Sequence, residues 1–143
     1  MKIALIYWSL SGNTEAMAEA LAEGLKSVTD EVDTYTASSF TFDLAQQYDR
    51  FVFGCPAMGS ETLEEAEFEP MFEQILPSLA GKNVLLFGSY GWGDGEWMRQ
   101  WIERCETFGA IPYQTDGLII QYEPDFNALT ALIQIGRDFA LIA

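Results

Sequence analysis

Apolar residues fall along this chain in two alternating rhythms. Ile3-Ala4-Leu5-Ile6-Tyr7-Trp8, Phe51-Val52-Phe53 and Val84-Leu85-Leu86-Phe87 are unbroken apolar runs, the mark of strands covered on both faces. Between them apolar residues recur at three- and four-residue spacing, one stripe per helix. The stripes are Met17, Ala20, Leu21 and Leu25; Phe68, Met71, Phe72, Ile75, Leu76 and Leu79; Trp97, Met98, Trp101, Ile102, Cys105 and Phe108; and Phe126, Leu129, Leu132, Ile133, Gly136 and Ala140. The runs predict strands at about Lys2–Tyr7, Arg50–Cys55 and Asn83–Ser89. A more polar edge strand is expected at Glu31–Thr36, and a fifth strand at Gly117–Gln121 with the shorter piece Ile111–Tyr113 before it. Pro70 falls in the first turn of its helix, where proline is tolerated.

This alternation predicts an α/β fold: a single domain over 1–143 on an open, doubly wound, five-stranded parallel sheet. In such sheets ligands sit outside the carboxyl ends of the strands, where the strand order reverses. The loops after strands one, three and four are therefore the candidate site, and they are the compositionally odd segments of the chain.

Loop one is Ser9-Leu10-Ser11-Gly12-Asn13-Thr14, a hydroxyl-rich turn between a buried strand and a helix. Such a turn points N–H groups, hydroxyls and a helix N-terminus at one spot, which suits a phosphate; the alternative is that Asn13 or Thr14 only caps the helix. No Lys or Arg lies between Lys2 and Lys26, so dipoles and hydroxyls alone would hold the anion, and a Walker-type loop is excluded. Loop two, Pro56-Ala57-Met58-Gly59-Ser60-Glu61, offers a soft thioether to a flat ring and a glycine free to take positive φ. The glutamates that follow it read as a solvated helix start favoured by the helix dipole. Loop three, Gly88-Ser89-Tyr90-Gly91-Trp92-Gly93-Asp94-Gly95, exposes backbone N–H donors and places a Trp among glycines as a stacking platform. Phosphate seat, ring-edge donors and aromatic cover together describe flavin mononucleotide (FMN). A dinucleotide would call for Gly-x-Gly-x-x-Gly after the first strand and an acid ending the second, and neither is present.

Composition narrows the picture further. The chain has 22 acids against 7 bases, a net charge of −15 and no histidine. That field repels nucleic acid and anionic membranes and attracts basic patches on protein partners. Lack of histidine removes the commonest general base and metal ligand, so no catalytic residue and no metal site is expected. No apolar run is long enough to span a bilayer and no signal peptide is evident, so the cytoplasm is the expected location. Cys55 and Cys105 sit within apolar patterns and read as two buried thiols, with a disulfide as the lesser alternative.

Over essentially its whole length the chain resembles the flavodoxins, and among them the short-chain kind from anaerobic bacteria. The motifs are Tyr7-Trp8-Ser9-x-Ser11-Gly12-Asn13-Thr14, Ala57-Met58-Gly59, Glu64-Glu65-x-Glu67-Phe68-Glu69-Pro70, Gly88-Ser89-Tyr90-Gly91-Trp92-Gly93-Asp94-Gly95 and Glu123-Pro124. The resemblance implies a flavodoxin-like sheet of order 2-1-3-4-5; FMN at the reversal point of that order is a standing example of the rule for open sheets. It implies a low-potential one-electron carrier using the semiquinone/hydroquinone couple of non-covalently bound FMN. Ser9 to Thr14, with Ser89, would hold the phosphate. Met58 and Trp92 would flank the ring, Glu61 would accept from flavin N3–H, and the N–H groups of Ser60, Glu61 and Gly91 to Gly93 would meet the ring edge. Pro56, Ala57 and Tyr90 complete the expected cofactor-binding set. The Met58–Gly59 peptide would turn over on one-electron reduction. Its partners would be redox proteins with basic docking patches, a reductase-type donor and an oxidoreductase acceptor, met by a monomer. One carboxylate about 10 Å from an anionic flavin, at an effective dielectric near 40, costs roughly 0.8 kcal/mol, or about 35 mV.

Three positions depart from the family pattern. Leu10 stands for a usual glycine and is expected at negative φ; Ser60 stands where Asp is common; Tyr122 stands where Asn is common. Other functions fit less well. A response-regulator receiver would need acids after strand one, an Asp after strand three and a Lys after strand five. An FMN quinone reductase would need a substrate pocket and a hydride-donor site. A specialised partner of this fold, such as an activator of a ribonucleotide reductase, stays open.

Overall fold

A computed structural model describes residues 1–114 and 116–142. The elements run β1 (Ile3–Tyr7), α1 (Asn13–Lys26), β2 (Val32–Thr36), α2 (Phe42–Ala45), β3 (Arg50–Gly54), α3 (Phe68–Ile75), β4 (Asn83–Tyr90), α4 (Glu96–Thr107), β5 (Ile111–Pro112), β6 (Leu118–Gln121) and α5 (Phe126–Ala140). All strand pairs are parallel, in the order β2-β1-β3-β4-β5, with β6 also on β4. The expected order holds, with one correction at its fifth place. β5 pairs only with Asn83 and Val84, and β6 takes over at Phe87 to Tyr90. Between them Gln114 and Gly117 have φ of 57° and 71°, and the Gly117 N–H closes a turn on the Gln114 carbonyl. Backbone in that region cannot continue a strand.

Side-chain alternation divides each central strand between two cores. Ala4, Ile6, Phe51, Phe53, Val84 and Leu86 meet α3 and α4 through Phe68, Phe72, Trp97 and Trp101. Ile3, Leu5, Val52, Leu85 and Phe87 meet α1 and α5 through Met17, Leu21, Leu25, Leu132 and Phe139. Unbroken apolar runs are what a sheet covered on both faces requires. Two expected stripe members miss the core: Phe126, at the start of α5, and Phe108, beyond α4, are exposed, while Phe139 is buried in its place. α2 and a short turn at Ala37–Ser39 were not expected from the spacing. Cys55 and Cys105 are both buried free thiols. Burial pushes both upward, Cys105 to about 12.

Two polar contacts fix the frame. The buried Arg50, opening β3, donates to the carbonyls of Phe139, Ala140 and Ile142, placing a cation on the carboxyl end of α5. Glu64 is likewise buried and accepts from the N–H groups of Ala66, Glu67 and Phe68 at 2.8 Å each, which caps α3. Burial alone would raise its pKa, but the three N–H donors outweigh that and hold the carboxyl below the ordinary carboxylate range.

Candidate functional site

The carboxyl ends of β1, β3 and β4 open into one cleft of about 210 Å³. Loop one gives it Leu10, Ser11, Asn13 and Thr14; loop two gives Pro56, Ala57 and Met58; loop three gives Ser89, Tyr90 and Gly91; Tyr122 joins them from beyond β6. None of these side chains is charged, as the sequence suggested.

In loop one the chain turns at Gly12, with φ 94°, and this cap residue of α1 has no side chain to offer the first N–H groups. The Ser9 hydroxyl accepts from the Glu15 N–H at 3.2 Å, and Ser11 Oγ lies 3.5 Å from the Asn13 N–H. Thr14 is turned inward, its Oγ1 2.9 Å from Ser89 Oγ. The N–H groups of Leu10, Ser11, Gly12 and Thr14 find no acceptor among the described residues. A helix start with free N–H groups and nearby hydroxyls can receive an anion without a cationic side chain. Ser9 does not line the cleft; it faces a neighbouring cavity with Tyr7, Trp8 and Glu15. Leu10 has no positive φ, as expected, and its side chain is largely exposed.

Loop two is closed by a two-way bridge. The Met58 N–H donates to the Thr62 carbonyl at 2.8 Å and the Thr62 N–H returns to the Met58 carbonyl at 2.9 Å. The Thr62 hydroxyl adds a second donor to that carbonyl at 3.3 Å. The Met58–Gly59 peptide, expected to turn over, is therefore pinned on its carbonyl side. The next peptide, Gly59–Ser60, makes no hydrogen bond with the described residues, and Gly59 sits at φ 51° with open space where a side chain would stand.

Glu61 differs from the expectation. Its backbone is left-handed, with φ 57°, and its carboxylate turns away from the cleft to accept from the N–H groups of Gly95 and Glu96 at 3.2 and 3.1 Å. It lines a separate cavity with Trp97 and Trp101. The reason lies in α4: its cap is Gly95, which has no side chain, so its first N–H groups and dipole draw the nearest carboxylate. Gly93 makes this contact feasible, since a β-carbon there would fall 2.5 Å from the Glu61 carboxyl.

Loop three begins later than expected, because Gly88, Ser89 and Tyr90 still belong to β4. Behind the cleft Tyr90 packs on Trp97 at 5.6 Å between ring centroids, and the Trp97 indole N–H donates to the Cys55 carbonyl at 3.1 Å. Trp92 projects from the loop, 67% exposed, at the margin of the cleft rather than in its wall. Arg99 ties the loop to α4 through Asp94 and Glu96 at 2.9 and 2.7 Å. The N–H groups of Gly59, Ser60, Glu61, Gly91, Trp92 and Gly93 find no acceptor among the described residues. Tyr122 is the lining residue that the sequence reading left outside the site. Its place just after the last strand, at a carboxyl end of the sheet, was the available signal.

Uncharged donors around a phosphate-sized turn, free amides on two further loops, and Met58, Tyr90 and Tyr122 as soft walls fit the chemistry of FMN. The comparisons with known proteins agree. The family described as Flavodoxin matches residues 5–129. A flavodoxin of Clostridium beijerinckii is 46% identical over 138 residues, 96% of this chain and 99% of the relative. One of Megasphaera elsdenii is 43% identical over 123 residues, 86% and 88% of the two chains. The solution structure of two-electron reduced Megasphaera elsdenii flavodoxin matches with TM-score 0.86 and 40% identity over 98% of this chain and 99% of that one. The chain belongs to the flavodoxin family, whose members bind FMN and carry electrons rather than act as enzymes.

Proposed function

We propose that this protein is a low-potential one-electron carrier between redox proteins, holding FMN non-covalently in the cleft at the ends of β1, β3 and β4. Bound there, FMN would supply reversible one-electron transfer; the protein contributes binding, orientation and field. The observation that carries the reading is the convergence of uncharged donors from three loops on a cleft without a cationic side chain.

Ser11, Thr14 and the free N–H groups at the start of α1 would seat the phosphate, with Ser9 acting behind them by capping α1. Met58, Tyr90 and, at the margin, Trp92 would border the ring. The amides of loops two and three would meet its polar edge. Of the loop-two peptides, Gly59–Ser60 rather than Met58–Gly59 is the one whose carbonyl would be free to turn toward the edge of a bound flavin ring as a hydrogen-bond acceptor. Glu61 stabilises this arrangement from outside the cleft, through α4.

The net charge of −15 disfavours negative charge arriving with the electron and so lowers the potential. The same field would steer partners bearing basic patches, with association slowing as salt is raised. Among the described residues no helix is long and apolar enough to cross a membrane. We place the carrier in the cytoplasm as a monomer.

Mixing the apoprotein with FMN tests this reading. Quenched flavin fluorescence with one-to-one stoichiometry, and a coloured species appearing at half-reduction, are expected. Unquenched fluorescence overturns the proposal.

A further inference from the structure

We infer that Tyr122 is a ligand-covering residue, held by a strained backbone so that its ring walls the cleft; the inference rests on the FMN reading above. Tyr122 has φ 62°, in the left-handed region, where a bulky side chain is an outlier. Two bonds to loop three hold it there: its N–H donates to the Tyr90 carbonyl at 2.7 Å, and the preceding Gln121 side chain donates to the Gly91 carbonyl at 3.2 Å. These bonds bring the ring onto Gly91, where a β-carbon would lie 3.6 Å from its Cε1. The ring lines the same cavity as Ser11 and Met58.

The free protein gains little from this arrangement. The side chain is 63% exposed and its hydroxyl makes no hydrogen bond with the described residues. Asn or Gly would occupy a left-handed position at lower cost. A strained residue that is neither buried nor bonded through its side chain, but abuts a binding cleft, points to a role in binding. An aromatic ring beside a soft-walled cleft suits a flat, uncharged part of the ligand, not its phosphate, and keeps water from it.

The test compares apoproteins of the wild type, Tyr122→Asn, Tyr122→Gly and Tyr122→Phe, by thermal denaturation and by fluorescence titration with FMN and with riboflavin. Tyr122→Asn is expected to raise the apoprotein Tm by about 2–4 °C. It should weaken FMN binding roughly five- to tenfold, and riboflavin binding by the same factor. Tyr122→Gly should weaken both ligands in the same way, and Tyr122→Phe should keep wild-type Tm and affinity. Unchanged FMN affinity in Tyr122→Asn, or loss confined to FMN, overturns the inference while leaving the FMN reading intact. A fall in Tm shows a structural plug instead and also overturns it. Wild-type apoprotein that binds neither ligand removes both readings.

Discussion

Thr14, in the first turn of α1, and Ser89, near the end of β4, share a hydroxyl–hydroxyl hydrogen bond of 2.9 Å, and the Ser89 N–H donates to the same Thr14 oxygen at 3.3 Å. Both residues are buried, so the pair is shielded from water that could replace either partner. It joins the turn that opens α1 to the strand that launches loop three. Thr14→Val keeps the shape and removes the hydroxyl, leaving the buried Ser89 groups short of a partner. The apoprotein should lose about 1–3 kcal/mol in urea denaturation, and FMN affinity should fall with it. Equal midpoints for variant and parent would show that the pair is not a stabilising link.

Glu64 predicts a pH dependence of definite sign. Its folded-state pKa lies below the ordinary value, because three N–H donors outweigh the desolvation that would raise it. A carboxyl with a depressed folded pKa stabilises the fold above its unfolded pKa, near 4.3, and loses that contribution as pH falls through the lower folded value. Glu64→Gln should therefore cost about 1–3 kcal/mol at pH 7, the scale of a lost charged cap on a buried helix start. The difference from the parent should shrink as the pH is lowered from about 4.3 through the folded pKa. A difference constant over that window, measured by urea denaturation, would contradict the role given to this carboxylate.

Gly24 and Gly136 let α1 and α5 touch backbone to backbone. A β-carbon at Gly24 would lie 1.9 Å from the Ile133 carbonyl oxygen, and one at Gly136 would lie 2.5 Å from that of Leu21. Alanine in a helix interior normally gains up to about 1 kcal/mol over glycine. Gly24→Ala should instead destabilise, by roughly 2 kcal/mol or more, since the two helices must move apart. A rise in Tm would mean that the helices separate freely.

The sequence was legible where one force dominates. Unbroken apolar runs located β1, β3 and β4 because both faces of the sheet are covered, and helical spacing located α1, α3 and α4 because each buries one stripe. The split fifth strand was seen as two pieces, but the turn that separates them depends on left-handed backbone at Gln114, which no hydrophobic pattern signals. Phe126 has the spacing of a core residue yet lies exposed as the first residue of α5, and the burial begins further along the helix. In the cleft, residue types marked the three loops well. They could not show that Glu61 would choose the N-terminus of α4 over the cleft, because that choice depends on a cap lacking a side chain 34 residues away in sequence.

Loop two offers two peptides that could reorient during electron transfer, and hydrogen bonding distinguishes them. The Met58 carbonyl accepts from both the N–H and the hydroxyl of Thr62, so turning Met58–Gly59 would break two bonds. Gly59–Ser60 carries none with the described residues, and Gly59 already has φ 51°. Gly59→Ala meets no steric obstacle, since nothing lies within 4 Å of the added carbon; its effect is on backbone freedom alone, at about 1 kcal/mol. The gap between the two one-electron potentials of the holoprotein should narrow by roughly 40 mV. Thr62→Val removes one donor from the Met58 carbonyl and keeps the size of the side chain. It should leave the gap unchanged if Gly59–Ser60 is the moving peptide, and widen it if Met58–Gly59 moves, because the pinned state would then be weakened. A redox titration in which only Thr62→Val shifts the potentials would return the motion to Met58–Gly59.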